Sequence, residues 1–198
     1  MECVTAPDPR THRIEVARAS DARALHDVAA ATFPLACPPS ARIGDIRAFI
    51  AEHLSVASFE RYLADPARAL LVAPATLDWP PRPAERFLMG YTMLVHGTPS
   101  DPDVAAVVGT ETGSMLITEL SKCYVRAEAH GGGTAAHLMR ESIEAARARG
   151  TTRFWLGVNE ENARAHRFYE KSGFVRVGTK RFQVGERLEH DYVYALDL

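Results

Sequence analysis

The sequence is poor in the groupings that bind metals or cross-link chains. Its 198 residues hold three cysteines, Cys3, Cys37 and Cys123, an odd and scattered set without CxxC spacing. That argues against a disulfide framework and a thiolate metal site, and it suits a reducing compartment. The eight histidines are scattered too, with no HExxH pair, so no metal is expected. No apolar run is long enough to span a bilayer. The charged, proline-containing stretch 1–13 does not read as a signal peptide but as a mobile tail, and the expected location is cytoplasmic. An excess of one charge is also lacking: 23 Lys+Arg face 25 Asp+Glu, a formal net charge of -2. Nucleic-acid and membrane surfaces usually need a basic patch, so neither partner is expected. The sum leaves room for a cationic small molecule, because a local acidic pocket vanishes in it.

What is present is ordinary globular chain, 46% hydrophobic and 24% charged, long enough for one domain over 14–198. Ile14 to Ala17 reads as a strand. Ser20 is the expected N-cap of a helix carrying Asp21, Ala24, Leu25, Val28 and Ala29. The three prolines of 34–40 are expected to break it. Helical spacing returns with Ile43, Ile46, Ile50 and Leu54, and again with Phe59, Tyr62 and Leu63 up to the stop at Asp65-Pro66. Strands are expected over 69–73, 87–95 and 115–125, separated by a proline-rich loop at 74–86 and a long loop at 97–113. That second loop is either functional or an inert insertion. A helix over 133–149, a strand over 154–158, a helix over 162–172 and strands over 174–178 and 191–198 complete the order. It describes an α+β domain.

The stretch from Glu119 to Ala136 carries the chemistry: a buried strand runs into Gly131, Gly132 and Gly133 and then into a helix. Glycines let the backbone turn tightly against a phosphate. The free N–H groups of the first helical turn, at Thr134, Ala135 and Ala136, face it with the positive end of the helix dipole. The spacing is neither GxxxxGK[ST] nor GxGxxG, which disfavours nucleotide hydrolysis and dinucleotide binding. Farther on, Asn162, Ala165, Tyr169, Gly173 and Phe174 form the pattern NxxAxxxYxxxGF.

Together these two stretches resemble the coenzyme A core of the GCN5-related N-acetyltransferases (GNAT), here 115–178. His130 stands where that family usually has Arg or Gln ahead of Gly133 and Ala135. Phe182 and Gly185, followed by Asp191-Tyr192, resemble the tail of the bacterial spermidine/spermine branch. The resemblance implies a single-domain fold with a mixed, mostly antiparallel central sheet flanked by helices. It implies acetyl-CoA as co-substrate and an amine as acceptor. Dimers are common in the family, so a homodimer is the assembly it suggests.

The resemblance also implies roles. Cys123, Tyr124 and Val125 would hold the pantetheine arm through backbone atoms, with the Val125 N–H polarising the thioester carbonyl. His130 and residues 131–136 would cradle the pyrophosphate, and Asn162 would hold the arm. Tyr169 would protonate the departing thiolate, although a helical tyrosine is ordinarily a packing residue. Glu119 is the candidate base, needed because an amine of pKa ~10 is mostly protonated at neutral pH. In a regular strand Glu119 and Val125 would share a face, ~20 Å apart; a bulge would change that relation. The acceptor groove is expected over 30–63 and 97–113, with Asp45, Glu52 and Glu60 able to receive a cation. A polyamine-like acceptor is the first reading. An antibiotic amine, a protein N-terminus or lysine, and a non-catalytic acyl-CoA-binding domain are the alternatives.

Overall fold

Leu70 and Val72 point to one side of their strand, Leu71 and Ala73 to the other, and all four are buried. A strand of this kind needs cover on both faces. The computed structural model describes residues 13–38, 41–75, 86–184 and 187–198, and of 182–184 and 187–189 the backbone alone. It provides that cover with helices on both sides of a seven-stranded sheet, ordered β1-β2-β3-β4-β5-β7-β6.

The strands are β1 (Glu15–Val16), β2 (Arg68–Pro74), β3 (Leu88–His96), β4 (Leu116–Val125), β5 (Thr151–Asn159), β6 (Val175–Val184) and β7 (Arg187–Asp197). Helices α1 (Ala22–Ala36), α2 (Ile43–His53) and α3 (Val56–Ala64) cover one face: Leu25, Val28 and Phe59, with Leu54 from the link between α2 and α3, pack onto Leu70, Val72, Tyr91 and Met93. Helix α5 (Thr134–Ala148) closes the other face through Leu138 against Leu71 and Ala73. Helix α6 (Ala163–Lys171) lies on that same face beside Phe154, Phe174 and Tyr194. All pairs are antiparallel among the described strands except β4–β5.

That parallel pair forms the site. Its ladder runs from Leu116↔Thr151 only to Glu119↔Trp155, although β4 continues to Val125 and β5 to Asn159. Beyond Glu119 the two strands part. The closed end is held by side chains: Thr118 Oγ1 lies 2.7 Å from Thr151 Oγ1 and 2.9 Å from His96 Nδ1. Burial lowers the His96 pKa, which keeps the ring neutral there.

One extra residue, Ser121, sits in β4: Met93 pairs with Lys122, but the next residue, Leu94, pairs with Leu120. Cross-strand partners share a face. Glu119, opposite Val95, Lys122, opposite Met93, and Tyr124, opposite Tyr91, therefore all project toward the α1–α3 side. Val125, opposite Gly90, packs instead with Leu138 of α5. The even offset expected to place Glu119 and Val125 on one face is overturned by this bulge.

Three other expectations also change. Ser20 is not the cap of α1. It lies in a short 3-10 turn, and Asp21 holds the N-cap position of α1 without a side-chain bond to the helix; its carboxylate accepts instead from Arg18 N–H, 2.8 Å away at the start of that turn. Pro34 does not break α1, which runs on to Ala36. The proline falls in the exposed last turn, where a lost bond to the Ala30 carbonyl costs little. The 97–113 loop contains helix α4 (Pro102–Val108). Asp101 caps it by accepting from Asp103 N–H at 2.8 Å and Val104 N–H at 3.3 Å, and Pro102 opens it. Val104 and Val108 then cover Ile117, Trp155 and Val193. Residues 1–12 of the tail and 76–85 of the 74–86 loop lie outside the described residues.

Candidate active site

After β4 the chain makes a 3-10 turn over Ala127–Ala129 and enters α5 through Gly131 (φ 78°) and Gly133 (φ 83°). L side chains rarely adopt that backbone, and a Cβ at either glycine would meet nothing within 4 Å. The loop is thus open space faced by backbone donors. Gly133 is the N-cap of α5 and offers no side chain to its first turn. The N–H groups that α5 leaves unpaired at Thr134, Ala135 and Ala136 are available to an anion. A pyrophosphate fits this cradle.

His130 does not fill the cradle. Its Nδ1 lies 3.2 Å from Arg164 Nη1, and its Nε2 lies 3.0 Å from the Val125 carbonyl. A guanidinium only donates, so the proton sits on Nε2, which donates to Val125 O. Both ring nitrogens are engaged within the protein, and the ring positions Arg164 at the mouth of the gap.

The Arg126 N–H donates to Met89 O at 2.8 Å. In an antiparallel ladder alternate residues face the same neighbour, so Tyr124 also addresses β3. Cys123 and Val125 turn their N–H and C=O groups toward the gap. Two cavities meet there. The smaller, about 180 Å³, is lined by Val125, His130, Ala135, Arg164 and Phe168. The larger, about 400 Å³, extends under α1–α3 past Phe33, Phe49, Tyr62, Glu119 and Lys122 to Lys180 and Asp191. Cys123, Tyr124, Asn162 and Tyr169 line both. Asn162 is also the N-cap of α6, accepting from Ala165 N–H at 3.1 Å.

Burial governs the chemistry of these groups. It pushes the Tyr169 phenol well above its ordinary range, with Cys123 and Tyr124 adding to the effect, so the hydroxyl remains a proton donor. It pushes the Cys123 thiol up to about 12, which removes it as a nucleophile. It raises the Glu119 carboxyl, opposed by Lys180, Lys122 and Arg68. It lowers Lys122 to about 8, opposed chiefly by Glu119.

The fold therefore brings Glu119, Cys123, Tyr124, Asn162 and Tyr169 to one cavity, and Val125, His130 and Ala135 to its extension. Of the segment 30–63, where the acceptor groove is expected, Phe33, Phe49, His53 and Tyr62 line the larger cavity, whereas no residue of 97–113 does. Asp45, Glu52 and Glu60 do not line it either, and Glu52 and Glu60 are exposed. Sequence reasoning missed Lys122, Lys180, Asp191 and Arg164. Lys180 and Asp191 are cross-strand partners of the β6–β7 hairpin, whose register decides their position. For Lys122 the deciding signal is the bulge.

A family model described as the acetyltransferase (GNAT) family matches residues 50–174. Uncharacterized N-acetyltransferases of Mycobacterium tuberculosis and Mycobacterium bovis are 42% identical over 179 residues, covering 90% of this chain and 99% of theirs. Among solved structures, NAA60 of Arabidopsis thaliana with a bisubstrate analogue aligns with a TM-score of 0.72 at 15% identity, over 94% of this chain and 98% of that one. The PaiA N-acetyltransferase of Thermoplasma acidophilum, in complex with coenzyme A, aligns with a TM-score of 0.67 at 17% identity, over 94% and 99%. With the parted strands and the glycine cradle, these similarities lead to one conclusion: the chain belongs to the GNAT acetyltransferase family and is an acetyl-CoA-dependent N-acetyltransferase.

Proposed function

We propose that the chain acetylates a small primary amine by direct attack, with both substrates bound at once. The observation that carries this is the meeting of two cavities at Cys123, Tyr124 and Tyr169. The smaller leads to the phosphate cradle, and the larger has no other evident use than to seat an acceptor. Its about 400 Å³ suits a small molecule.

Bound acetyl-CoA supplies a thioester open to attack by an amine. The backbone N–H groups of 131–136 and the Arg164 guanidinium hold its phosphates. Cys123 and Val125 turn backbone donors to the arm, and a donor of this pair polarises the thioester oxygen, where negative charge develops. Asn162 borders the same path. Glu119 takes the proton from the incoming ammonium through water, and Tyr169 gives a proton to the departing sulfur. The raised carboxyl of Glu119 suits a base, and the retained Tyr169 hydroxyl suits an acid.

The C-terminal resemblance makes a polyamine the first acceptor to try. An antibiotic amine and a protein N-terminus or lysine come next. A regulatory domain that only binds acyl-CoA would have no need of an acceptor cavity carrying Glu119 and Asp191.

The test is thiol release from acetyl-CoA across a panel of amines, with the acetylated product identified by mass. Direct attack predicts that acetyl-CoA alone leaves the protein unmodified. A stable acetyl-enzyme formed before the amine is added would refute it.

A further inference from the structure

The larger cavity carries charges of both signs in equal number: Glu119 and Asp191 against Lys122 and Lys180. Lys180 and Asp191 reach over Gly157, where an added Cβ would stand 2.8 Å from Lys180 Nζ and 3.4 Å from Asp191 Oδ2. Glu119 and Lys122 are different. Both are half-buried and line the cavity, and neither side chain makes a hydrogen bond or an ion pair with any described residue. Lys122 Nζ lies 5.8 Å from the centroid of the Tyr62 ring, and Glu119 is the opposite charge that acts on it most, at a distance.

A half-buried ammonium and a half-buried carboxylate on one wall, neither in a hydrogen bond or ion pair with a described residue, call for a ligand that answers both. Acetyl-CoA does not answer Lys122. Its thioester arm is uncharged, and its phosphates belong to the cradle beyond Val125. A polycation would satisfy the carboxylates and leave both lysines opposed.

We infer that the acceptor is a zwitterion, a small amine that also carries a carboxylate, with Lys122 holding the carboxylate and Glu119 facing the ammonium. The inference rests on the reading that this cavity seats the acceptor. Burial disfavours the charged form of both residues, which oppose it in each other only at a distance, and a zwitterion sets an opposite charge in contact with each. The bulge at Ser121 makes the arrangement possible, because it places residues 119 and 122 on one face.

The experiment measures kcat/KM by thiol release at saturating acetyl-CoA for matched acceptors. These are α-amino acids, their carboxamides, the corresponding decarboxylated amines, and spermidine, each corrected for its neutral-amine fraction. A charge-assisted contact predicts about a tenfold to hundredfold preference for the amino acids. Lys122→Met brings that ratio toward one, mainly through KM, while Lys122→Arg retains it. Acetyl-CoA affinity, measured by calorimetry, reports whether each variant is folded. A preference for decarboxylated amines or spermidine, or no preference, overturns the zwitterion and leaves the cavity as the acceptor seat. A preference for amino acids that is unchanged in a folded Lys122→Met variant shows that the acceptor binds elsewhere, which overturns the cavity reading itself.

Discussion

Replacing Tyr169 with phenylalanine removes one oxygen and leaves the ring in place. The ring centroid lies 5.4 Å from that of Phe168, 6.1 Å from Phe174 and 6.5 Å from Tyr194, and none of these contacts needs the hydroxyl. The hydroxyl makes no hydrogen bond with a described residue, so its removal leaves no orphaned partner. The expected stability change is within ~0.5 kcal/mol, a shift of ~1–2 °C in Tm. Catalysis should respond differently. A positioned general acid contributes ~10²–10⁴ in rate, which is ~2.7–5.5 kcal/mol of barrier. Tyr169→Phe should therefore lower kcat by at least ~100-fold, with acetyl-CoA affinity unchanged within a few-fold. Thiol release gives kcat, rapid quench isolates the chemical step, and calorimetry gives affinity. Because burial raises the phenol pKa, the wild-type rate should not fall through loss of this proton until above ~10. A chemical step within threefold of wild type, or a collapse of acetyl-CoA affinity, would make Tyr169 a packing residue and refute the assignment.

Gly133→Glu forces a side chain into a φ of 83° and sets a carboxylate in the phosphate cradle; calorimetry should find acetyl-CoA binding lost in a folded protein. Asp101→Ala removes the α4 cap at a cost of ~0.5–2 kcal/mol, which should lower Tm by a few degrees. Because α4 lines no part of the cavity, kcat/KM should stay as in wild type. For Glu119→Gln the signs of stability and activity differ. The folded carboxyl pKa is raised, net of its lysines, so the stability it contributes is full below 4.5 and is lost as pH rises through the folded value. The glutamine variant should melt higher than wild type at pH 8 and level with it near pH 4. Its activity should be lower than wild type, most of all at low pH, and partly rescued as pH rises and more amine is neutral. Equal loss at every pH would mark a positioning carboxylate, and no loss a structural one.

The glycine turn was legible because its signal is local: three consecutive glycines between a strand and a helix permit the positive φ angles that Gly131 and Gly133 adopt, which other residues rarely take. Asn162 and Tyr169 were legible because one helix fixes their spacing. Helix α4 leaves a local signal as well. Asp101 and Pro102 are an N-cap and a first-turn proline, Val104 and Val108 are four apart, and Gly109 closes the element at φ 101°. The small residues and acids around it mask that pattern. Pro34 misled because a proline reads as a breaker wherever it stands, whereas an exposed last turn tolerates it. Lys180 and Asp191 depend on the register of a hairpin, and Lys122 depends on a bulge. Neither is written in any single window of sequence.

The bulge ties the architecture to the chemistry. An inserted residue bends its strand and sharpens the local twist. Ser121 stands just past Glu119, where the parallel ladder with β5 ends, so the bend begins where β4 must leave its neighbour. The same insertion reverses the facing of residues 116–120 relative to residues 122–125. Were the same residues, Ser121 included, paired as a regular strand, Lys122 and Tyr124 would look away from Glu119, and a charged side chain would enter the core under α5. With it, Glu119, Lys122 and Tyr124 face one cavity, while Val125 still packs on Leu138. Apolar residues at 119 and 122 would suit a sheet flanked by Phe33, Phe49 and Tyr62 better than two charges whose ionised forms burial disfavours. Local consistency with the fold is broken on this one wall, and such breaks gather where a protein handles its ligand. The wall that costs the fold stability is therefore the wall to mutate when acceptor choice is the question.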